Sequence, residues 1–289
     1  MTPPLFTEPP PASEDRPGQD GTAGEPPRAD CVADSAGGLT FDLADPGTGG
    51  PAHLLLARRT KEEHTTDEVR LPLTEAGTGR LRAALPSSVP LVEGRWDAYL
   101  LLPSARPRKL APGLNDLRSL VDRVPSAWRS HVSVRIPYTT GNGRLAVRTW
   151  RRSPHAEAGE LHVTGGGVRV TGRVHLAELS AGACAELRGR HSSAPVLRLE
   201  LDADGPEFTF TVPYEQLAAA APAGIWDVYL RPAGPDGPRA KVARLLDDVA
   251  DKKHIFTYPA TPLAPTTGPR SAQPYYTLSN DLSIRIEPA

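Results

Sequence analysis

The chain has 289 residues, of which 39% are hydrophobic, and its 33 Lys and Arg residues nearly cancel its 34 Asp and Glu residues to leave a formal net charge of -1. This composition allows a packed core. The charge balance lacks the basic excess of a duplex-binding protein, so no nucleic-acid partner is expected. The apolar runs fall far short of the roughly 20 residues that a transmembrane helix needs, so no transmembrane segment is expected.

Residues 1–37 are rich in Pro, Gly, Ser and acidic side chains and too poor in apolar ones to offset the entropy of ordering. We therefore predict a disordered tail, and removal of residues 1–36 is expected to leave the stability unchanged. The tail contains Cys31 and lacks the pattern of a secretory signal. With Cys184 as the other cysteine, two reduced thiols and a cytoplasmic location are expected, with the membrane periphery as the alternative.

Two sequence windows recur in the same order along the rest of the chain. The segment Gly94–Leu100 (GRWDAYL) shares five of seven residues with Gly224–Leu230 (GIWDVYL). The segment PYTTGNGRLAVR from Pro137 recurs as PYYTLSNDLSIR from Pro274. Self-similarity at a nearly constant spacing indicates a repeated structural unit. The sequence therefore predicts two copies of one domain with a short linker between them, at 38–150, 151–160 and 161–289.

Strand patterns dominate both copies, as short runs of alternating or continuous apolar residues between turn signals. The glycines around Asn142 predict a hairpin. Two short helices are also predicted, at 74–85 and 214–221. With 32 Pro and 26 Gly and no long helix, the chain is predicted to be all-β and to form two tandem antiparallel β-sandwich domains.

The tryptophan of each GxWDxYL window lies on the apolar face of its predicted strand, whereas the aspartate and tyrosine lie on the other face. We therefore expect each tryptophan to fill the core of its sandwich, and the alternative is a pair of carbohydrate-stacking platforms. The residues assigned to the structure of the repeat are Trp96, Asp97, Tyr99, Trp226, Asp227 and Tyr229.

Four aromatic and basic residues are candidates for ligand binding. Trp128 and Trp150 have no counterparts in the second copy, so they are expected at exposed or interface positions. Arg148 and Arg285 occupy matching positions in the two PY windows. Each is a candidate partner for the WD aspartate of its copy, either around a ligand or as a cross-strand ion pair. Their repetition favours the structural role, since charges are retained where they are paired.

The sequence contains no known catalytic or metal-binding pattern. Residues 202–204 spell DAD, like the metal-binding motif of sugar-nucleotide transferases, but they precede an Asp-Gly turn and follow no nucleotide-binding fold. The glycines of 164–172 lack the GK[ST] ending of a phosphate loop. The eight histidines lack ligand spacing. We therefore expect no catalytic residue, no metal and no cofactor.

The repeated motifs G-x-W-D-x-Y-L and P-Y-x-T-x-x-x-x-L-x-[VI]-R resemble the tandem immunoglobulin-like β-sandwich domains at the carboxyl ends of bacterial family 2 glycosyltransferases. The similarity is to the poly(ribitol-phosphate) glycosyltransferases of wall teichoic acid synthesis. Catalysis in those enzymes belongs to an amino-terminal nucleotide-sugar domain, whereas the sandwiches mediate oligomerisation or polymer contact. The resemblance covers residues 39–287 and includes no such catalytic domain. It therefore implies an accessory module, with no catalytic residue to carry over.

Three functions follow as hypotheses. The leading one is a non-catalytic module that binds a cell-wall glycopolymer or oligomerises a glycosyltransferase, so the expected partners are that polymer, a glycosyltransferase or a second copy of the chain. The alternatives are a transferase with a site in the cleft between the sandwiches, and a purely structural interaction protein that pairs through its sheet edges. An enzyme would gather exposed Trp, Tyr and Arg with paired carboxylates in one groove.

Overall fold

The computed structural model describes residues 25–47, 49–60, 67–121, 123–126, 128–190, 195–220, 223–263 and 269–288. Within these ranges the chain is almost entirely strand and turn, with one short α-helix and one 3-10 turn. The predicted all-β class is confirmed.

The first half of the chain, called the first repeat below, contains strands β1 to β11 and the 3-10 turn. Their bounds are β1 Arg28–Ala33, β2 Leu39–Ala44, β3 His53–Arg58, β4 Glu68–Pro72, β5 Thr74–Glu75, β6 Arg80–Leu85, β7 Gly94–Leu101, β8 Arg108–Lys109, β9 Ala111–Asp116, the 3-10 turn Arg118–Leu120, β10 Val132–Thr139 and β11 Leu145–Arg152.

The second half, called the second repeat, contains strands β12 to β22 and the helix α1. Their bounds are β12 His155–Val163, β13 Gly167–His175, β14 Cys184–Gly189, β15 Val196–Glu200, β16 Asp202–Asp204, β17 Glu207–Pro213, α1 Tyr214–Ala220, β18 Gly224–Arg231, β19 Ala240–Ala243, β20 Thr261–Pro262, β21 Arg270–Tyr276 and β22 Leu282–Pro288.

The two repeats have the same strand topology. In the first, one sheet has the order β5-β6-β2-β1-β9 and the other the order β10-β11-β7-β3-β4, with β8 beside β7. In the second, the eleven strands form one continuous sheet, in which β16-β17-β13-β12 corresponds to the first sheet and β21-β22-β18-β14-β15 to the second, with β20 added beside β21. The single strand β19 replaces both β8 and β9, because it pairs with β12 in parallel and with β18 antiparallel.

Each repeat has its own buried core. Strand β6 shows why, since Leu81, Ala83 and Leu85 point inward and alternate with exposed neighbours, as the period of two requires. One cluster of buried side chains gathers residues of the first repeat and a second gathers those of the second. Ala243 and Leu245 belong to the first cluster, so the segment after β19 packs against the first repeat.

The predicted tail is wrong in its last third. Its residues 1–24 lie outside the described residues, but Arg28–Ala33 form β1 in the middle of a sheet. Ala29, Cys31 and Ala33 are buried in the core, and burial raises the pKa of the Cys31 thiol. The side chains that this strand buries are small, so its alternation gave little apolar signal. Both cysteines are free, as expected.

Two further predictions are corrected by the strand boundaries. The expected linker at 151–160 is almost entirely strand, because β11 runs to Arg152 and β12 begins at His155. The helix predicted at 74–85 is absent, and this segment forms β5 and β6. In β6, arginines alternate with buried apolar residues. The helix predicted at 214–221 is confirmed as α1, and the hairpin around Asn142 joins β10 to β11.

Candidate functional site

The two WD tryptophans lie in the cores. Trp96, on β7, is 2% exposed, and Trp226, on β18, is 1% exposed. Both strands lie in the interior of their sheets. The indole Nε1 of Trp96 donates hydrogen bonds to the Val92 carbonyl oxygen at 3.1 Å and to Thr149 Oγ1 at 3.1 Å. Neither ring has a face on which a sugar could stack.

The WD aspartates pair with arginines that the sequence analysis did not identify. Arg59, directly after β3, donates from Nε and Nη2 to Asp97 Oδ1 at 2.9 and 2.7 Å. Arg190, directly after β14, donates from Nη2 to Asp227 Oδ1 at 2.9 Å. The expected pairing with the arginines of the PY windows is therefore wrong, because the partner comes from the opposite neighbour of the WD strand. Aligning the two repeats would have placed Arg59 and Arg190 at the same position.

The WD tyrosines lie half-buried on the outer face of the sheet. Tyr99 is in register with Lys109 of β8, and Tyr229 is in register with Lys241 of β19. The guanidinium of Arg239 lies 5.3 Å from the centre of the Tyr229 ring. The repeat thus preserves a tyrosine–lysine neighbourhood as well as a tryptophan.

Arg148 and Trp150 lie at the contact between the two repeats. Arg148 Nη2 donates to the carbonyl oxygen of Leu278 at 3.1 Å, and Trp150 Nε1 donates to that of Ser279 at 3.0 Å. Trp150 is 1% exposed, and the Arg148 guanidinium lies 5.1 Å from its ring centre. Burial, followed by repulsion from Arg95, lowers the pKa of Arg148 to about 10. The turn before β22 therefore covers both candidates, and Trp150 offers no open face to a ligand.

Arg285 has a local role at the matching position of the second repeat. Its Nη2 donates to Gln273 Oε1 at 2.7 Å, its Nε lies 3.3 Å from Glu287 Oε1, and its guanidinium lies 5.6 Å from the ring centre of Tyr275. Its own strand β22 and the neighbouring strand β21 supply these contacts. The two PY-window arginines therefore have different environments, and the structure does not bring them together.

Trp128 is the candidate that the structure leaves open, with 98% of its surface exposed. It borders a groove of about 360 Å³ at one end of the first repeat. The lining includes four serines and four basic side chains, and none of the lining residues is a carboxylate. The basic residues are Arg129, His131, Arg135 and Arg151.

Partly buried hydrogen bonds hold the walls of this groove in place. Arg135, on β10, donates to the carbonyl oxygen of Pro86 at 2.9 Å and to that of Val89. Arg129 donates from Nη2 to Ser87 Oγ at 2.8 Å. The loop between β6 and β7 is therefore tied to the segment that enters β10. A preorganised polar wall loses less entropy when it binds a ligand.

Two basic side chains of the groove have lowered pKa values. Burial, followed by the charges of Arg151, Arg129 and Arg135, lowers the pKa of His131. Burial and then Arg129 lower the pKa of Arg135 to about 10, against a smaller opposing effect of Asp34. Burial is the larger cause of both shifts, and the neighbouring arginines add to it. The sequence run Trp-Arg-Ser-His at 128–131 was the signal for this groove, and only its tryptophan was recognised.

No catalytic or metal-binding constellation accompanies the groove. Among the described residues, no group of three or more His, Cys, Asp or Glu side chains could hold a metal ion. The DAD segment forms the short strand β16, and its two aspartates are exposed. No helix in the described part of the chain is long and apolar enough to cross a membrane.

Comparisons with known proteins find little. No protein-family model and no curated protein match the chain. Among solved structures, S. aureus TarS is 14% identical over 64% of this chain and 35% of its own, with a TM-score of 0.30. A chimeric titin Z1Z2 is 12% identical over 76% of this chain and 94% of its own, with a TM-score of 0.18. A marsupial T cell receptor is 7% identical over 91% and 92%, with a TM-score of 0.24. The chain spans about a third of TarS, and such low TM-scores carry no argument about function.

Proposed function

We propose that this chain is a non-catalytic tandem β-sandwich module that binds an anionic glycopolymer, and that the groove beside Trp128 makes the contact. One observation carries the proposal: a tryptophan that is 98% exposed borders a groove lined by basic and hydroxyl side chains. The motif resemblance suggests a cell-wall polymer built on sugar or alditol phosphates, and a glycosyltransferase as the enzyme that this module serves.

The chemistry of the groove fits such a polymer. The Trp128 ring offers a flat apolar face on which a sugar ring can stack, with polar groups at its rim. Arg151 is exposed, and its guanidinium is of the type that binds phosphate oxygens with two parallel hydrogen bonds. The serines supply hydroxyl partners for sugar hydroxyls. An enzyme has weaker support, because the lining has no carboxylate for acid–base chemistry.

Assembly with a second copy or with a protein partner is a second candidate. Leu114, on the edge strand β9, is 80% exposed, and Val124, in the following segment, is 82% exposed. An edge strand with exposed apolar side chains is a place where another chain can pair. This candidate uses the strand edge rather than the basic groove, so the two can be tested separately.

The test is calorimetric titration of the full chain with purified ribitol-phosphate teichoic acid, followed by the Trp128→Ala variant. We expect affinity to fall about tenfold or more, since loss of an aromatic stacking platform on nucleic-acid bases costs about 1–3 kcal/mol and 1.4 kcal/mol corresponds to a factor of ten. Binding should also weaken as salt is added, because the groove is cationic.

Leu114→Ala is the matched control, because it removes another exposed apolar side chain outside the groove. It should bind the polymer as the unmodified chain does. Neutral dextran tests whether stacking suffices without the phosphate charge, and we expect no binding. A wild-type chain that binds no teichoic acid, or a Trp128→Ala variant with undiminished affinity, would overturn the proposal.

A further inference from the structure

The second repeat carries a cluster of four arginines around one buried carboxylate. Glu186 on β14 has no exposed side-chain surface. Arg231 of β18 donates to it from Nε at 3.0 Å and from Nη2 at 3.2 Å, and Arg188 donates from Nη1 at 3.3 Å. Arg198 and Arg239 approach the same carboxylate only to 3.6 and 3.9 Å.

Arg231 and Arg188 together donate three hydrogen bonds to this carboxylate and use most of its acceptor capacity. Burial alone would raise the pKa of Glu186, but the hydrogen bonds from Arg231 and Arg188 outweigh it and lower the pKa, so the group is ionised. Neither Arg198 nor Arg239 reaches hydrogen-bond distance of Glu186, and both keep donors directed at the same region. Glu200 lies two residues along β15, and Asp227, opposite Arg188, is paired with Arg190. The four arginines around Glu186 therefore outnumber the unpaired carboxylates of this face.

The cluster is not required by the fold, because the first repeat has the same strands without it. By strand register, Glu186 corresponds to Leu55, which pairs with the equivalent tyrosine. Arg188 corresponds in the same way to Ala57. A sandwich of this topology therefore forms with apolar side chains at these positions. Core packing therefore does not explain why the second repeat places several arginines close together.

The guanidinium groups are accessible and held in position. The side chains of Arg188, Arg198 and Arg239 are 41%, 51% and 40% exposed. The guanidinium of Arg239 lies 5.3 Å from the centre of the Tyr229 ring, a contact that favours this position of the side chain. Arg231 also donates to the carbonyl oxygen of Gly237, so the loop that carries Arg239 is tied to β18.

We propose that Arg188, Arg198 and Arg239 form a phosphate-binding site above Glu186 on the outer face of the second repeat. Convergent guanidinium groups match the geometry of phosphate oxygens, and a bound phosphate supplies the negative charge that Glu186 alone does not. The ligand class is a phosphate group, either a free monoester-like dianion or a phosphodiester within a polymer. The site is separate from the groove of Trp128 and does not depend on it.

The test is an NMR titration of the full chain with sodium tripolyphosphate and, separately, with dimethyl phosphate. The first probe represents free multiply charged phosphate and the second a phosphodiester, so the two arms distinguish the sources. The Arg198→Gln/Arg239→Gln double variant should bind the effective probe at least tenfold more weakly. Both side chains are half-exposed, so the variant should fold, and its thermal unfolding without ligand should match or exceed that of the unmodified chain.

Two controls make the result specific. Arg169→Gln removes an exposed arginine of β13 and should leave the affinity for either probe unchanged. Trp128→Ala should also leave it unchanged, so a failure of this site and a failure of the Trp128 groove are distinguishable. Equal affinities of the double variant and the unmodified chain would overturn the proposal, as would an equal loss in Arg169→Gln.

Discussion

Replacing Trp226 by alanine should destabilise the second repeat by about 4 kcal/mol. A buried tryptophan removes roughly 150–250 Å² from water, worth about 4–6 kcal/mol at 25 cal/mol per Å². Alanine retains a small part of that area, while the cavity adds a penalty, and aromatic-to-alanine changes in cores cost about 3–5 kcal/mol. For a domain of this size the unfolding midpoint should fall by roughly 10–20 °C. Scanning calorimetry of the full chain measures it.

The chain contains its own control for residue type. Trp128→Ala removes the same side chain from a position that is 98% exposed, so its effect on stability should stay within about 0.5 kcal/mol. Trp96→Ala should resemble Trp226→Ala, because Thr149 Oγ1 already donates to the Val92 carbonyl at 2.7 Å and leaves that oxygen paired. If Trp226→Ala unfolds at the same temperature as Trp128→Ala, the buried Trp226 does not stabilise the core and the reasoning from burial fails.

Three further outcomes are expected. Under native conditions at pH 8, a thiol reagent should modify Cys184 and not Cys31, whose thiol is buried with a raised pKa; rapid reaction of both would contradict the burial of β1. Deleting residues 1–36 should lower the melting temperature strongly in calorimetry, since it removes β1, and an unchanged midpoint would restore the tail interpretation. A fragment of residues 155–289 should show cooperative thermal unfolding in circular dichroism. A fragment of residues 160–289, which lacks half of β12, should be unfolded or aggregate, and cooperative unfolding of both fragments would show that β12 is dispensable.

The sequence predicted most of the fold because its signals were local and occurred twice. The all-β class and the Asn142 hairpin rest on alternation and turn residues, which act within a few positions. The errors arose where local signals were weak or misleading. Strand β1 buries small side chains, and the helix expected at 74–85 came from alanines and leucines that alternate with arginines in β6.

The sites were harder to predict because they depend on which strands are neighbours. Asp97 lies between β3 and β11, and the sequence offered an arginine from either side. Arg59 and Arg148 both lie level with Arg95, so register does not choose between them. Arg148 donates instead to Leu278 in the turn before β22, and Arg59 pairs with Asp97, which no single strand shows. The same holds for Glu186, whose four arginines come from β14, β15, β18 and the following loop. The burial of Trp150 depends on a turn 129 residues away.

The two repeats separate what the fold requires from what it does not. The core tryptophan, the Asp97–Arg59 type of ion pair and the tyrosine–lysine register occur in both, so they are explained by the shared topology. The exposed Trp128 belongs to the first repeat, and the arginines around Glu186 belong to the second. Neither feature contributes to the core of its repeat, and crowded cations repel one another. Each proposed site therefore belongs to one copy alone, and the two sites together would give a long phosphate-bearing polymer two points of attachment, which would raise its apparent affinity above that of either point alone.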